Sequence, residues 1–508
     1  MTTRLSLEDV DLVGLDILAS RLALALKAGD VVALSGPLGA GKTTLARALV
    51  ARLGGEGEVP SPTFALMQRY ETPRLVLTHC DLYRLEPSEL DELGLDDALS
   101  EGAVVVEWPE RATDWLPADR LDIAMDETAT PAARHLTLTG YGVWQERLIR
   151  LGALSDFLRK TPYAGAGASY FQGDASTRSY ARLTLPDRHA ILMNSPRQPD
   201  GPPIRDGKPY SALVHLAEDI TPFVAVANAL RERGLSAPAI YAVDLERGFV
   251  ILEDLGDRVF GSEAARGCPL AELWGSAVDV LVALAESPPP DRLPIQGHDA
   301  YRLPSYDAEA MLIEASLMID WFWPAIHGRE MPQALAEEFA ALWRPLLGAA
   351  AKADSGWVLR DYHSPNLMWL PDREGIKRVG ILDFQDALRG PLAYDLVSLL
   401  QDARLDIPEP LERDLLARYC AARGAQSQHF SSDQFVSLYA TLGAQRNSKI
   451  LGIFARLAKR DGKRGYLAHI PRVARYLERD LAHPALAELR RFYRREFPPA
   501  NAIPPLGL

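Results

Sequence analysis

Apolar and polar residues follow two different periods along this chain, and the changes of period predict an ordered series of strands and helices. A continuous apolar run at 31–34 predicts a buried strand. Leu45, Leu49 and Leu53 recur every four residues just after it, which predicts a helix. Further strands are predicted at 75–78, 103–106, 136–139, 181–185, 189–193, 248–252 and 379–382, and further helices at 15–27 and 144–158.

The same pattern divides the chain into two domains. A strand-like alternation ends at Gly142, and helical periodicity begins directly afterwards. The predicted domains are therefore 1–142 and 143–508. In the second domain, strands cluster before a hinge and helices dominate after it, so we expect a small β-rich lobe at about 143–256 and a helical lobe at about 257–508.

Composition and charge narrow the classes of function. The 508 residues carry a formal net charge of −13, so no overall positive field draws the chain to nucleic acid or to an anionic membrane. The three cysteines have no metal or disulfide spacing, and no apolar run approaches the roughly 18 residues of a membrane span. We expect a cytoplasmic protein that reaches any nucleic acid locally or through a partner.

A glycine-rich loop, GPLGAGKTT at 36–44, joins the strand at 31–34 to the helix that follows. Its glycines let successive backbone N–H groups face one anion, and the start of the helix adds the positive end of its dipole. Lys42 would reach the terminal phosphates of ATP, and the Thr43 hydroxyl would ligate Mg²⁺. A glycine turn without a ligand is the alternative. The candidate nucleotide-binding residues are Gly36, Gly39, Gly41, Lys42, Thr43 and Thr44.

Two acids follow predicted strands near this loop. Asp81 is placed to hold Mg²⁺ directly or through water, although it could equally cap the next turn. Glu107 ends the strand at 103–106 and could position water or metal. Trp108 would be part of the core or a lid over the nucleotide. Thr63 belongs either to a segment that senses the γ-phosphate or to a plain proline turn.

Four segments occur in a fixed order: GPLGAGKTT at 36–44, SPTF at 61–64, HCDLYRL at 79–85 and EWPE at 107–110. Together they resemble the TsaE family, small ATPases required to make threonylcarbamoyladenosine in bacterial tRNA. The resemblance covers about residues 10–140 and implies an α/β P-loop NTPase domain.

The TsaE resemblance also implies roles and partners. Lys42 and Thr43 would bind ATP and Mg²⁺, and Asp81 and Glu107 would serve metal binding and hydrolysis. TsaB and TsaD would be partners that supply the tRNA contacts. Pro37 stands where the family usually has Asp, so we expect nucleotide binding to be kept and the hydrolysis rate to be the property affected.

A second, different phosphate-handling pattern lies far along the chain. LRDYHSPN at 359–366 is followed by the strand at 379–382 and then by Asp383. In such an arrangement Asp361 would accept the proton of the attacking hydroxyl, while Asn366 and Asp383 would hold Mg²⁺ against ATP. The alternative is a polar loop between two strands whose aspartates serve as caps.

Two upstream segments agree with this pattern. Gly173 and Ser176 belong to a small-residue loop that precedes a predicted hairpin and could fold over phosphates, although a simple hairpin turn is the alternative. Glu253 lies where the strand at 248–252 passes into the hinge, and backbone groups there would receive adenine.

These segments resemble the aminoglycoside-phosphotransferase and choline-kinase superfamily, whose domain is an α+β, bilobal, protein-kinase-like fold. Within it they are most similar to the AmgK family, the anomeric kinases of N-acetylmuramate and N-acetylglucosamine in cell-wall recycling. The segments that carry the resemblance are GDAS at 173–176, LEDLG at 252–256, RDYHSPNL at 360–367, DFQDALRGP at 383–391 and YDL at 394–396. An amino sugar is the implied substrate, and ATP and Mg²⁺ are the implied cofactors.

Two departures from the superfamily pattern bear on activity. Leu359 replaces the histidine that usually precedes Arg-Asp and that orders the loop by a hydrogen bond. The strand at 190–194 has no lysine where many kinases hold the ATP phosphates, and Arg178 and Arg182 are candidate replacements.

Three further cations near these motifs have open interpretations. Arg446 or Lys449 could bind an anionic substrate such as the muramate carboxylate, and solvated helix faces are the favoured alternative. His363 could touch substrate or make a structural hydrogen bond.

Two complete phosphate-handling motifs in one acidic chain lead to the hypothesis of a bifunctional fusion, a TsaE-like ATPase followed by an anomeric sugar kinase. A kinase of an aminoglycoside, choline-like or other small alcohol is one alternative. A C-terminal pseudokinase that only binds is the other, and Leu359 and the missing lysine support it.

Overall fold

The computed structural model describes residues 2–55, 66–85, 87–171, 178–199, 201–205 and 207–506. The chain forms two compact units. Unit 1 consists of Met1–Pro196 and Tyr241–Asp254, and unit 2 consists of Arg197–Ile240 and Leu255–Leu508. Three residues with predicted roles, Thr63, Gly173 and Ser176, lie outside the described residues, so their roles stay predictions.

Strands and helices are interspersed in the first part of the chain. Up to the end of the predicted hairpin the elements are β1 (Thr3–Val10), α1 (Leu12–Ala25), β2 (Val31–Ser35), α2 (Lys42–Arg52), β3 (Met67–Glu71), β4 (Val76–Asp81), α3 (Leu95–Glu101), β5 (Gly102–Glu107), β6 (Arg120–Glu127), β7 (Arg134–Tyr141), α4 (Trp144–Arg159), β8 (Gly167–Phe171), β9 (Ser179–Leu185) and β10 (Arg188–Asn194).

Helices prevail in the remainder. The elements there are β11 (Pro203–Arg205), β12 (Lys208–Pro209), α5 (Tyr210–Leu213), α6 (Thr221–Glu232), β13 (Ile240–Asp244), β14 (Phe249–Leu252), α7 (Phe260–Ala265), α8 (Leu270–Glu286), β15 (Arg292–Ile295), β16 (His298–Arg302), α9 (Ala308–Leu317), α10 (Trp323–His327), α11 (Gln333–Ala350), β17 (Ser355–Val358), β18 (Leu367–Trp369), β19 (Val379–Ile381), β20 (Leu388–Pro391), α12 (Ala393–Leu400), α13 (Glu409–Gln426), α14 (Ser432–Asp461), α15 (Ile470–Leu481) and α16 (Ala487–Glu496).

Shorter helical segments connect several of these elements. A π-helical turn at Met318–Phe322 joins α9 to α10. The 3₁₀ segments are Pro87–Leu93, Pro109–Arg111, Ser364–Asn366, Gly375–Arg378, Arg464–His469, Pro484–Leu486 and Ala500–Ala502.

The first sheet has the strand order β1-β7-β6-β2-β5-β4-β3, with β2 parallel to both β5 and β6 and β4 parallel to β5. Central parallel strands are covered on both faces, which explains why 31–34 is apolar throughout. Val32 and Leu34 pack with Leu45 and Leu49 of α2 on one face. Val31 packs on the other face with the interior of β5. The predicted α/β domain is confirmed.

Helix α4 belongs to two hydrophobic cores of unit 1. Trp144 and Leu148 at its N-terminal end are buried in the core of the first sheet. Leu154 and Phe157 near its C-terminal end are buried in the core of a second sheet, where the Phe157 ring stacks on Phe249 with centroids 5.6 Å apart. The two cores are therefore joined by one continuous helix, and the boundary after residue 142 stays a prediction.

The second sheet has the order β13-β14-β10-β9-β8 and is antiparallel between β8, β9, β10 and β14. The predicted hairpin at 181–185 and 189–193 is β9 and β10. Arg150 of α4 anchors the helix to this sheet, because its guanidinium donates to Asn194 Oδ1 at 3.0 Å from Nε and lies 3.8 Å from the centre of the Phe249 ring.

In unit 2, the long helix α14 packs against α9, α12 and α15. Gly452 permits the closest of these approaches, because a Cβ at this position would collide with the backbone of Leu317. The predominance of helices after the hinge is confirmed. Among the described residues, no helix combines the length and the apolar character that a membrane crossing requires.

The double role of α4 leads to a stability prediction. Replacing Leu154 by Ala (3% exposed) leaves a cavity in the core of the second sheet, so we expect the free energy of unfolding to fall by about 2–5 kcal/mol. Urea denaturation followed by circular dichroism measures the change. Ile149→Ala on the same helix is the control, because Ile149 is 61% exposed and should shift the value by less than about 0.5 kcal/mol. Equal effects of the two substitutions would contradict the packing described here.

Candidate active sites

The glycine loop at 36–44 has the backbone geometry of a phosphate cradle. Gly36, Gly39 and Gly41 have φ values of +138°, +80° and +106°, a region that disfavours residues with a side chain. A Cβ at Gly36 would in addition collide with the carbonyl of Met125 in β6. Helix α2 begins at Lys42 directly after Gly41, so its first N–H groups point into the loop.

Lys42 is held inside this loop by neutral partners. Its Nζ donates to the carbonyls of Gly36 at 2.7 Å and Pro37 at 2.9 Å, and it lies 3.8 Å from the centre of the Trp108 ring. Burial lowers the pKa of Lys42, and the negative charge of nearby acids, first among them Glu107, opposes the shift. Trp108 thus covers the lysine rather than only filling the core. Thr43 and Thr44 follow in the first turn of α2.

Asp81 and Glu107 are the last residues of the parallel neighbours β4 and β5 and lie opposite each other in register. Glu107 is fixed by His79, whose Nε2 is 2.8 Å from Glu107 Oε1 in a fully buried pair. Asp81 accepts a hydrogen bond from the Tyr83 N–H at 3.1 Å, so it also caps the following turn. The structure brings both acids to the side of the sheet where Lys42 lies, as their charges act on its pKa.

The three polar residues of the second pattern also come together. Asn366 Nδ2 donates to the carbonyl oxygen of Asp361 at 3.0 Å and to Asp383 Oδ2 at 3.4 Å. Gln385 Nε2 donates to Asp383 Oδ1 at 2.8 Å. Arg360 and Asp383 have φ values of +73° and +55°, and such strained residues are concentrated at functional sites.

Backbone amides order the loop that Leu359 begins. The Leu359 and Arg360 N–H groups donate to the two oxygens of Asp395 at 2.5 and 2.9 Å. The Ser364 N–H donates to Asp402 Oδ2 at 2.8 Å. Burial raises the pKa of Asp395 to about 7, and the two N–H groups oppose that shift. The loop is therefore positioned by main-chain hydrogen bonds that do not depend on the side chain at 359.

A buried carboxylate, Glu314 of α9, compensates the cations behind this loop. It pairs with the Arg360 guanidinium, lies 2.8 Å from Lys449 Nζ and accepts a hydrogen bond from the Tyr306 hydroxyl. Burial alone would raise the pKa of Glu314, but the charges of Arg360 and Lys449 lower it to about 2. Sequence reasoning missed Glu314. The available signal was an acid within the otherwise apolar stretch 310–315 of α9.

The expectation of solvated helix faces at Arg446 and Lys449 is wrong. Arg446 is 5% exposed and the Lys449 side chain is 12% exposed. Both belong to the buried part of α14, one turn apart, because the surrounding helices enclose that face. Neither side chain lies on a solvated helix face.

Asp361 and His363 are neighbours in the catalytic-type loop. His363 Nε2 lies 3.9 Å from Asp361 Oδ1, and the Asp361 side chain keeps 38% of its surface exposed. Burial raises the pKa of Asp361, but the charges of His363, Lys449, Arg446 and Arg360 outweigh it and the net shift is downward. Burial lowers the pKa of His363. Asp361 is therefore an ionised carboxylate that a ligand can reach.

Glu253 follows β14 directly, and the chain passes from unit 1 to unit 2 after Asp254. Arg182 of β9 donates from Nε to Asp254 Oδ2 at 2.6 Å, which fixes a cation beside this segment. The structure thus gives the candidate replacement Arg182 a defined position in unit 1. Its role in place of the missing lysine stays a prediction.

Both candidate sites contain oxygen donors that suit a magnesium ion. In the part of the chain that is described, no three His, Cys, Asp or Glu side chains are grouped to hold a metal ion. Mg²⁺ at phosphate sites takes one or two protein oxygens together with phosphates and water, and Asn366 with Asp383, or Thr43 with Asp81, provides such oxygens. These donors fit a magnesium ion that arrives with the nucleotide.

The fold and the two sites define an α/β P-loop NTPase domain followed by a kinase-like phosphotransferase domain. Residues 13–136 match the family described as "Threonylcarbamoyl adenosine biosynthesis protein TsaE", and residues 167–432 match the "Phosphotransferase enzyme family".

Curated relatives match each part separately. The N-acetylmuramate/N-acetylglucosamine kinase of Caulobacter vibrioides is 37% identical over 358 residues, which cover 69% of this chain and 97% of that protein. The protein of that name from Pseudomonas aeruginosa is 35% identical over 62% of this chain and 84% of its own length. The tRNA threonylcarbamoyladenosine biosynthesis protein TsaE of Streptomyces coelicolor is 46% identical over 25% of this chain and 89% of its own length.

The chain therefore belongs to the TsaE family in its N-terminal part and to the phosphotransferase enzyme family in its C-terminal part. The predicted fusion is confirmed at the level of these two families.

The Glu314 cluster predicts a large loss of stability when its carboxylate is neutralised. Glu314→Gln leaves Arg360 and Lys449 buried without a counter-charge, so we expect the free energy of unfolding to fall by about 3–5 kcal/mol. Denaturant titration measures it. Glu272→Gln is the control, since Glu272 and Arg378 form a surface pair at 3.2 Å worth less than about 1 kcal/mol. A Glu314→Gln protein as stable as the control would contradict this account of the cluster.

Proposed function

We propose that the C-terminal part is an ATP-dependent kinase of the anomeric hydroxyl of N-acetylmuramate and N-acetylglucosamine. We also propose that the N-terminal part is an ATPase that acts with TsaB and TsaD in threonylcarbamoyladenosine synthesis on tRNA, in the cytoplasm. The observation that carries the kinase proposal is the convergence of Asp361, Asn366 and Asp383 in a domain similar to kinases of those two sugars.

The chemistry of the kinase would depend mainly on positioning. Asp361 is ionised and accessible, so it would accept the proton of the sugar hydroxyl as that oxygen attacks the γ-phosphate. Asn366 and Asp383 would hold Mg²⁺, which neutralises charge on the phosphates. Arg360 takes no part in this step. It is locked to Glu314 and keeps the loop in place.

The pseudokinase alternative rests on two departures from the family pattern. The order of the loop does not require a histidine at 359, because Asp395 accepts the Leu359 and Arg360 N–H groups. A cation is present in the small sheet as Arg182. Both observations favour an active kinase. The competing function is a kinase of another small alcohol. It is tested by measuring which acceptors the protein phosphorylates.

A panel of acceptors tests the kinase. We expect phosphorylation of N-acetylmuramate and N-acetylglucosamine, and a fall of about 100- to 10,000-fold in kcat for Asp361→Asn because the proton acceptor is lost. The measurement is release of ADP with each sugar, and with aminoglycosides and choline as competing acceptors. Asp372→Asn is the control, since Asp372 is an exposed acid between β18 and β19.

Other results of this panel would contradict particular parts of the kinase proposal. Turnover of only an aminoglycoside or an amino alcohol would change the substrate. ATP binding without turnover on any acceptor would favour the pseudokinase. Full activity of Asp361→Asn would remove Asp361 from its role as base.

For the ATPase part, Lys42 would leave the carbonyls of Gly36 and Pro37 for the terminal phosphates, which are stronger partners. Glu107, oriented by His79, would position the attacking water, and Asp81 would hold Mg²⁺ through water or directly. TsaB and TsaD would supply the tRNA contacts, consistent with the net charge of −13.

Replacing the loop lysine tests this part. Lys42→Ala removes the cation of the phosphate cradle, so we expect nucleotide binding by this domain and modification of tRNA to be lost in a reconstitution with TsaB and TsaD. Lys27→Ala, an exposed lysine after α1, is the matched control. Normal modification by Lys42→Ala would overturn the proposed TsaE role, while the kinase activity of the same variant shows that the chain is folded.

A further inference from the structure

Arg446 is a buried cation of the phosphotransferase domain for which the described residues provide no ion pair. Arg446 of α14 is 5% exposed, and its Nη1 is buried without a hydrogen bond. Among the residues that the structure describes, its side chain has no ion pair either. Lys449, one turn further along the same helix, differs in this respect because Glu314 lies 2.8 Å from its Nζ.

A buried and unpaired charge is unstable unless something compensates it. Removing a charge from water without a counter-charge costs several kcal/mol, and a lysine or histidine can escape that cost by losing its proton. An arginine cannot, because its guanidinium stays protonated in proteins. Arg446 is therefore a candidate to bind an anion that is not part of the described chain.

The position of Arg446 indicates which anion this is. Lys449, one turn further along α14, is linked through Glu314 to Arg360, the residue before Asp361, so this part of α14 lies beside the loop that meets the acceptor. The ATP phosphates have other candidate partners, namely the magnesium held by Asn366 and Asp383. An acceptor that reaches Asp361 would bring any negative group of its own to this place.

We propose that Arg446 binds a carboxylate carried by the acceptor sugar. The inference rests on the proposed sugar-kinase function and adds the group that distinguishes the two sugars. N-acetylmuramate carries a lactyl carboxylate, and N-acetylglucosamine has a hydroxyl at that carbon. The planar guanidinium pairs with a carboxylate through two parallel hydrogen bonds, which gives orientation as well as affinity.

The test compares two variants on two sugars with the full-length protein. For Arg446→Met, which keeps a similar volume without charge, we expect kcat/KM for N-acetylmuramate to fall by about 10- to 100-fold, mainly through KM. The value for N-acetylglucosamine should stay within about threefold. Arg446→Lys keeps the charge without the two-pronged geometry and should lie between Arg446→Met and wild type on N-acetylmuramate. Lys459→Met, an exposed lysine on the same helix, should change neither value.

Each outcome of this experiment supports or overturns the proposed role of Arg446. A loss confined to N-acetylmuramate supports the proposal. An equal loss of kcat/KM on both sugars would mean that Arg446 contacts the phosphoryl group or supports the fold. Any Arg446 variant that leaves the ratio of kcat/KM for the two sugars unchanged therefore overturns the proposal. If Arg446→Met fails to fold, the ratio measured with Arg446→Lys decides in the same way. A wild-type chain that phosphorylates neither sugar overturns the proposed function itself, and this inference with it.

Discussion

The phosphotransferase domain depends on one buried negative charge. Glu314 of α9 holds Arg360 of the catalytic-type loop and Lys449 of α14, and so ties two helices to that loop. Glu314 contributes to stability mainly by compensating the charges of Arg360 and Lys449, because burying these cations without a counter-charge would be strongly unfavourable. Gln445 adds a hydrogen bond between α14 and α9, because its Nε2 donates to the carbonyl of Met311 at 2.9 Å.

Three buried cations of the described residues differ in their partners, and the differences agree with the functions proposed for them. Lys42 rests on backbone carbonyls and the Trp108 ring, which are weak partners that a phosphate can replace. Lys449 has a permanent carboxylate and is structural. Arg446 has neither. A cation that must exchange partners is given neutral ones or none, because a fixed counter-charge would compete with the ligand.

Sequence reasoning could predict the local geometry where the candidate site residues are contiguous. The loop at 36–44 and the pair Asp361 and Asn366 could be predicted because spacing alone defines their geometry, and strand ends at Asp81 and Glu107 followed from apolar runs. It failed where partners are distant in the chain. Nothing local links Glu314 to Lys449, and the sequence of α14 does not reveal that Arg446 becomes buried when this helix packs against its neighbours.

The shared helix α4 has a consequence for how the two enzymes can be separated. Its first half contributes to one core and its second half to the other, so the two cores are connected here by a helix. A cut before Trp144 would strip the P-loop domain of Trp144 and Leu148, and a cut after Arg159 would leave it with Leu154 and Phe157 uncovered. The two sheets of unit 1 thus share one helix, so a substitution that loosens α4 is expected to lower the stability of both cores.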